Sequence, residues 1–338
     1  AAIAALADAD AGVVVQAETT LGVLGGSLAI AALRRAAGGA AFALRRQAII
    51  AQAEADTAAG TAAASAIAAD LDWHWRSVAA EAFTTARNRP RLQSQVADPD
   101  GRVVAQALQG LTRLASDSDA ALLSQARALL EHPDAAVRSI AADILGRHPD
   151  PADVDRLVAA YRQGAGDAFN DARLSAVAAL GAIAAARTAG RLRVATAFVT
   201  GLPRPDDYLV RRLAAAKIPE ALDEWGSGDG PIATGKSDAD YREIVRRYLL
   251  PALRGQPNPT VTLETERGTL ILELLPSQAP LTVAAFLALV DRRFFDGQRW
   301  HRVVPNFVAQ AGDPRGDGWG GPGTTVRDEI NPLRWINA

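Results

Sequence analysis

The chain has 338 residues, 49% hydrophobic and 22% charged, a composition that folds and a length that suits about two domains. Its net charge of −2 gives no sign of a nucleic-acid or membrane surface. It contains no cysteine, which excludes disulfides, thiolate catalysis and cysteine-held zinc.

There is no methionine either, not even at position 1, so this start is expected to belong to a processed or fragmentary chain. Lysine occurs only at Lys217 and Lys236, the other cations being arginine; with so much alanine, GC-rich coding bias is the expected reason, selection for phosphate contacts being the competing one. No run reaches the ~18–20 apolar residues that span a bilayer. The best one, residues 21–33, is broken by Gly22, Gly25 and Gly26. No basic segment precedes an apolar run at the start, so no signal peptide is visible.

Residues 1–221 read as helix after helix, with one pattern recurring. An acidic or small residue is followed three later by an apolar one, seven later by a small one and eleven later by another apolar one. Asp134, Val137, Ala141 and Leu145, then Gly146, show it most clearly. Asp10, Val13, Ala17, Leu21 and Gly22 repeat it, as do Asp100, Val103, Ala107 and Leu111, and Asp207, Val210, Ala214 and Ile218. Weaker copies run through Leu44 and Ala48, through Asp72, Trp75, Ala79 and Phe83, and through Ala172, Ala176, Leu180 and Gly181.

Each opening Asp is expected to cap a helix by accepting free N–H groups of the first turn. Residues four apart form one stripe, and the central alanine lets a neighbouring helix approach. The closing glycines are expected to be left-handed C-caps. One such helix cannot bury its stripe alone, whereas stacked pairs can. The pattern resembles HEAT-type α-solenoids, including an arginine after the +3 residue (Arg76, Arg138, Arg173, Arg211) that the resemblance pairs with an acid of the adjacent repeat. A plain alanine-rich bundle is the competing reading. Trp73 and Trp75 flank His74, and core packing is the expected role of the trio. His132 and His148 each precede a proline at a helix end and read as turn residues.

Residues 222–257 read as a linker. Residues 225–236 are glycine-rich and suit a mobile loop. Residues 238–250 read as one amphipathic helix with Tyr241, Ile244, Val245, Tyr248 and Leu249 on its apolar side, ended by Pro251 and the segment 255–259.

From Thr260 the period becomes two. Val261, Leu263 and Thr265 alternate with Thr262, Glu264 and Glu266, Gly268 marks a tight turn, and residues 269–275 continue as a second strand. Residues 281–292 read as a helix with Val283, Phe286, Leu287 and Val290 inward. Strand-like runs follow at residues 299–304 and 307–311.

The segment Trp300-His301-Arg302-Val303-Val304-Pro305-Asn306-Phe307-Val308-Ala309-Gln310-Ala311-Gly312-Asp313 resembles the cyclophilin signature F-H-R-V-I-P-x-F-M-x-Q-G-G-D. Ala279-Pro280-Leu281-Thr282-Val283, Phe286 and Phe295-Asp296-Gly297 precede it in the family's order. Gly320-Gly321-Pro322-Gly323 and Asp328-Glu329 follow.

The resemblance implies a peptidyl-prolyl cis/trans isomerase domain with Arg302, Phe307 and Gln310 catalytic. Val308, in place of the usual methionine, would be substrate-binding, lining the proline pocket with Phe307. His301 would be structural. No metal and no cofactor is implied. The fold expected is therefore an N-terminal α-solenoid over residues 1–221 and, over residues 258–338, the first half of a cyclophilin-like antiparallel β-barrel. The family's second half, with the other pocket wall, would follow Ala338.

Two functions stay open. One is an isomerase or folding helper whose helices bind protein clients. The other is a non-catalytic scaffold or accessory subunit docked on a larger protein complex, membrane-associated or not. Nucleic acid is not an expected partner. By resemblance to bacterial repeat–cyclophilin fusions, the expected location is extracytoplasmic or periplasmic. Gly318-Trp319-Gly320-Gly321-Pro322-Gly323 spells G-x-G-x-x-G, but Pro322 and the lack of a following helix make it a loop. Arg315-Gly316-Asp317 is read as a chance tripeptide.

Overall fold

A computed structural model describes residues 1–116, 119–186, 188–226, 235–304 and 307–331. The chain divides into two compact units, Ala1–Gly230 and Pro231–Ala338.

The first unit is helical throughout. Its helices are α1 (Ala2–Ala5), α2 (Ala11–Leu24), α3 (Gly26–Ala36), α4 (Phe42–Ala55), α5 (Thr57–Ser65), α6 (Trp73–Thr85), α7 (Arg89–Gln95) and α8 (Gly101–Leu114). They continue with α9 (Ala120–Leu129), α10 (Ala135–Arg147), α11 (Val154–Gln163), α12 (Asp171–Ala186), α13 (Thr188–Val199), α14 (Tyr208–Lys217) and α15 (Glu220–Trp225). The even-numbered helices pack in succession from α2 to α14, and α5, α7, α9 and α11 each pack on the even helix that follows. The result is a row of helix pairs in two layers, the arrangement that lets each pair bury the stripe of the next.

The repeat pattern sits where those layers meet. Asp10, Asp72, Asp100, Asp134 and Asp207 each cap an even helix with a side-chain oxygen. The mid-stripe alanines Ala48, Ala79, Ala107, Ala141, Ala176 and Ala214 are fully buried. Val13 departs from the stripe and is 41% exposed; α2 is the first of the row and has one even-numbered neighbour, α4, where the helices within the row have two. The poor copy at α4 starts from Ala41, which supplies no side-chain cap.

The closing glycines are not C-caps. Gly22, Gly146 and Gly181 lie inside α2, α10 and α12. A Cβ on Gly22 would meet the Ala51 Cα at 3.1 Å, one on Gly146 the Ala179 Cα at 3.1 Å, and one on Gly181 the Lys217 Cβ at 2.6 Å. Each glycine marks the point at which the next even helix crosses, so close approach fixes the residue there and not a left-handed turn.

The arginines tie repeats together. Arg76 donates to Asp98 from Nε at 2.8 Å and Nη2 at 3.0 Å, and from Nη1 to the Asp70 carbonyl at 2.8 Å. Arg138, 1% exposed, donates to both Asp167 oxygens and, from Nη1, to the carbonyls of His132 and Pro133. Arg211 departs from the expected acid pairing: it reaches the carbonyls of Pro205 and Asp206 just ahead of its own helix and forms no ion pair among the described residues. Arg173 departs from the acid-pairing expectation, because its guanidinium lies over Tyr161 and donates to that hydroxyl.

Trp73, His74 and Trp75 are half-buried at the surface and do not join the core. They occupy the first turn of α6, ahead of its buried stripe. Trp225 was expected in a mobile loop; it ends α15, 4% exposed against Phe198 and Tyr161. Residues 227–234 of that expected loop lie outside the described residues.

The second unit opens with α16 (Asp238–Ile244), a π-helical turn (Val245–Leu249) and α17 (Leu250–Leu253), one continuous helical run. It passes Pro251 and stops at Leu253, just ahead of Gly255, so of the two features expected to end it the proline does not and the segment from Gly255 does. Proline lacks an N–H, and the wider π turn just before it absorbs the lost i→i−4 bond. The widened turn also rotates the apolar stripe: Ile244 is buried, whereas Val245 is 38% exposed.

Strands β1 (Thr260–Thr265) and β2 (Gly268–Glu273) pair antiparallel, with Thr265 opposite Gly268 across a two-residue turn. Helix α18 (Pro280–Asp291) follows, buries Val283 and packs on the π turn. Strands β3 (Arg302–Val304) and β4 (Val308–Gln310) form a second antiparallel pair. The two pairs are separate sheets, and the described residues form no closed barrel. All six residues of β2 are exposed.

Candidate functional site

The candidate site is built on the β3–β4 hairpin. Its register places Arg302 opposite Gln310, Val303 opposite Ala309 and Val304 opposite Val308. Cross-strand partners share a face and alternate residues share it again. Arg302, Val304, Val308 and Gln310 therefore project to one side. The hairpin is closed by the Phe307 N–H, which donates to the Val304 carbonyl at 3.1 Å, and lengthened by the His301 N–H, which donates to the Gln310 carbonyl at 3.0 Å. Pro305 and Asn306 lie outside the described residues.

Arg302 donates from Nη1 to the Gln310 side-chain oxygen at 2.9 Å. Its guanidinium carbon lies 5.9 Å from the centre of the Phe307 ring. The hairpin thus brings together the four residues picked out from the sequence: a guanidinium held by a neutral acceptor, an aromatic ring 77% exposed, and the half-buried Val308. No carboxylate pairs with Arg302 among the described residues, so its remaining N–H groups stay available to a ligand. His301 is half-buried with an unpartnered Nδ1.

The elements around the hairpin are tied by carboxylates and aromatic rings. Phe286 of α18 packs on Phe295 at 5.2 Å, and Phe295 on Phe294 at 5.2 Å. The chain leaves β4 at Gly312, whose φ of 93° suits glycine and brings it beside Phe295. Asp313, 5% exposed, accepts the N–H groups of Arg315 at 2.7 Å, Asp317 at 3.0 Å and Gly318 at 2.6 Å. Burial pushes its carboxyl up, but the backbone donors together outweigh that and hold it below the usual carboxylate range.

Arg315 and Asp317 pair with each other at 2.8 Å, so the Arg-Gly-Asp tripeptide is closed on itself. The residues after Gly318 form no helix among those described, and the glycine-rich run is a loop. Glu329 accepts the N–H groups of Leu281 at 2.9 Å and Thr282 at 2.7 Å and the Thr282 hydroxyl at 2.8 Å. It caps α18, whose own N-cap, Ala279, has no side-chain donor or acceptor to offer. Sequence reading noted Asp328-Glu329 only as part of a match. A helix beginning Ala-Pro with no local cap was the signal that a distant carboxylate was needed.

Comparison with known proteins places residues of this unit in a sequence family. Residues 260–335 match the family profile described as "Cyclophilin type peptidyl-prolyl cis-trans isomerase/CLD". A peptidyl-prolyl cis-trans isomerase of Synechococcus elongatus is 49% identical over 69 residues, 20% of this chain and 48% of that protein. Peptidyl-prolyl cis-trans isomerase B of Bacillus subtilis is 53% identical over 57 residues, 17% of this chain and 40% of that one. The chain thus spans less than half the length of either relative.

Among solved structures, the complex of CpcE and CpcF of phycocyanin lyase from Nostoc sp. aligns with a TM-score of 0.35 and 19% identity, over 64% of this chain and 92% of that one. No described helix is long and apolar enough to cross a membrane.

Proposed function

We propose, from the match of residues 260–335 to the cyclophilin-type isomerases, that this chain supplies the arginine-bearing wall of a prolyl cis/trans isomerase and uses its helical unit to hold protein clients. Rotation about an X–Pro bond faces a barrier of ~18–20 kcal/mol, because resonance gives the C–N bond double-bond character. In the twisted state the prolyl nitrogen becomes pyramidal and exposes a lone pair. An N–H fixed beside it stabilises that state more than either planar one, which is what a catalyst of this rotation has to do.

The observation that carries the reading is the Arg302–Gln310 contact beside Phe307. Gln310 is a neutral acceptor, so it orients the guanidinium without cancelling its charge. Phe307 and Val308 offer the proline ring an apolar seat. In this reading Arg302 donates to the prolyl nitrogen as the twist develops, and no covalent or proton-transfer step is involved.

The test is a protease-coupled proline-peptide assay on the full-length protein. Arg302→Ala is expected to lose about 10²–10³ in kcat, the usual cost of removing a donor aimed at developing charge. Acceleration that survives the substitution contradicts the reading.

A second reading, a non-catalytic scaffold with a binding lobe, draws on the exposure of Phe307 and of every residue of β2. It predicts no acceleration by the full-length protein, together with stable co-purification of a partner that is lost when residues 1–221 are removed.

A further inference from the structure

Residues 19–53 contain no Asp or Glu and four arginines, Arg34, Arg35, Arg45 and Arg46. Arg34 and Arg35 stand exposed in the last turn of α3, and a short turn leads from there to Phe42 at the start of α4. Arg46 is neutralised by Glu81 at 2.6 Å. In the next repeats Arg76 pairs with Asp98 and Arg102 with Asp100. Arg34, Arg35 and Arg45 form no ion pair among the described residues, and Ala41 at the start of α4 brings no carboxylate to them. At the start of α6 the Asp72 carboxylate is engaged by the His74 ring and the first turn of the helix; with Asp70 and Asp72 set against three arginines that form no ion pair, this edge keeps an excess of positive charge in a chain whose net charge is −2.

The same edge carries a ladder of rings. The Arg102 guanidinium lies 3.8 Å over Trp73, and Trp73 stacks on His74 at 3.9 Å. His74 meets the edge of Phe42 at 6.1 Å, Phe42 packs on Trp75 at 4.6 Å, and Arg45 lies 4.2 Å over Trp75. Phe42 is 41% exposed, and Leu71, beside the start of α6, is fully exposed. Trp and Arg are among the residues that dominate binding energy at protein interfaces.

We propose that the edge formed by the end of α3, the start of α4 and the first turn of α6 binds an acidic peptide segment with apolar side chains beside its carboxylates. A guanidinium stacked on an indole keeps its in-plane N–H groups free, and its planar fork matches a carboxylate. Arg45 is placed to do this, with Arg34 and Arg35 adding attraction at the rim. Phe42 and Leu71 meet the apolar side chains.

The ring faces decide between peptide and nucleic acid. Trp73 is stacked with Arg102 and His74, and Trp75 meets Arg45 and Phe42, so both indoles are already engaged with side chains of the protein and are not set out as open platforms for successive bases. This proposal names the partner chemistry of the helical unit's client-holding role. It is read out separately from the isomerase, because Arg302 takes no part in it.

The test is fluorescence anisotropy on the full chain with three labelled probes: a short peptide alternating Asp and Leu, the same peptide with Lys for Asp, and an oligothymidine. The acidic peptide is expected to bind and the lysine peptide is not. Arg34→Glu with Arg35→Glu, at exposed positions that leave packing intact, weakens binding roughly tenfold or more, about 1.4 kcal/mol or above. Phe42→Ser weakens it as well. Arg113→Glu, at the far end of α8, leaves it unchanged. Equal binding of the lysine peptide, preference for the oligothymidine, no effect of the double reversal, or an equal effect of Arg113→Glu overturns the proposal.

Discussion

Arg302 and Gln310 face each other across the β3–β4 pair, the guanidinium donating to the amide oxygen at 2.9 Å. One hydrogen bond of this kind contributes about 0.5–1.5 kcal/mol. Gln310→Leu is therefore expected to lower kcat/KM for a proline peptide roughly three- to tenfold, because Arg302 is no longer held. Gln310→Glu costs more, since a carboxylate cancels the charge that Arg302 presents. Steady-state kinetics of the two variants, with circular dichroism to confirm the fold, check this order.

Arg138 is the largest fully buried side chain, and it binds Asp167 and two carbonyls at once. Arg138→Met leaves the Asp167 carboxylate and both carbonyls without their donor. The expected loss is about 3–5 kcal/mol of stability, as for a buried pair broken on one side. Urea denaturation measures it. The double variant Arg138→Met with Asp167→Leu is expected to recover part of the loss, because no uncompensated charge remains.

Glycines at helix crossings make a second stability prediction. A Cβ on Gly60 would fall 2.2 Å from the Ala53 Cα, which is backbone and cannot step aside. Alanine gains about 1 kcal/mol of helix propensity, yet the clash costs about 1–3 kcal/mol or more. Gly60→Ala is expected to melt earlier than the parent protein, whereas Gly166→Ala, with open space around its site, is not.

Glu18 is fully buried on α2 with no partner for either carboxylate oxygen. Burial raises its pKa from 4.5 to about 7. The folded state then keeps a proton that the unfolded chain has released, so the contribution of Glu18 to stability is highest below pH 4.5, falls between 4.5 and about 7, and is flat above. Glu18→Gln removes that slope. The variant is expected to be more stable than the parent at pH 8, by up to about 3 kcal/mol, and to lose this advantage at pH 4. Thermal melting across the range measures both arms.

What the sequence disclosed, and what it withheld, follows from the range of each interaction. Asp caps such as Asp134 and alternating strands such as β1 are local, and both stood where the spacing placed them. The β3–β4 hairpin was legible for the same reason, since Arg302, Phe307 and Gln310 are neighbours in sequence as well as in space. Gly146 and Gly181 were misread as caps because their reason lies in the next repeat, a helix away. The capping of α18 by Glu329 was invisible, since 48 residues separate Leu281 from that carboxylate. Trp73 and Trp75 were assigned to the core by residue type, but their position in the first turn of α6 places them at the surface.

The most direct measurement is exchange spectroscopy on a proline-containing peptide, following cis/trans interconversion with a substoichiometric amount of the full-length protein, parent or Arg302→Lys. Lysine keeps the charge and loses the planar fork. Fast exchange with the parent protein and a large loss with Arg302→Lys is the result predicted from an oriented guanidinium at the twisted bond. Equal exchange from both proteins, or none from the parent, contradicts it.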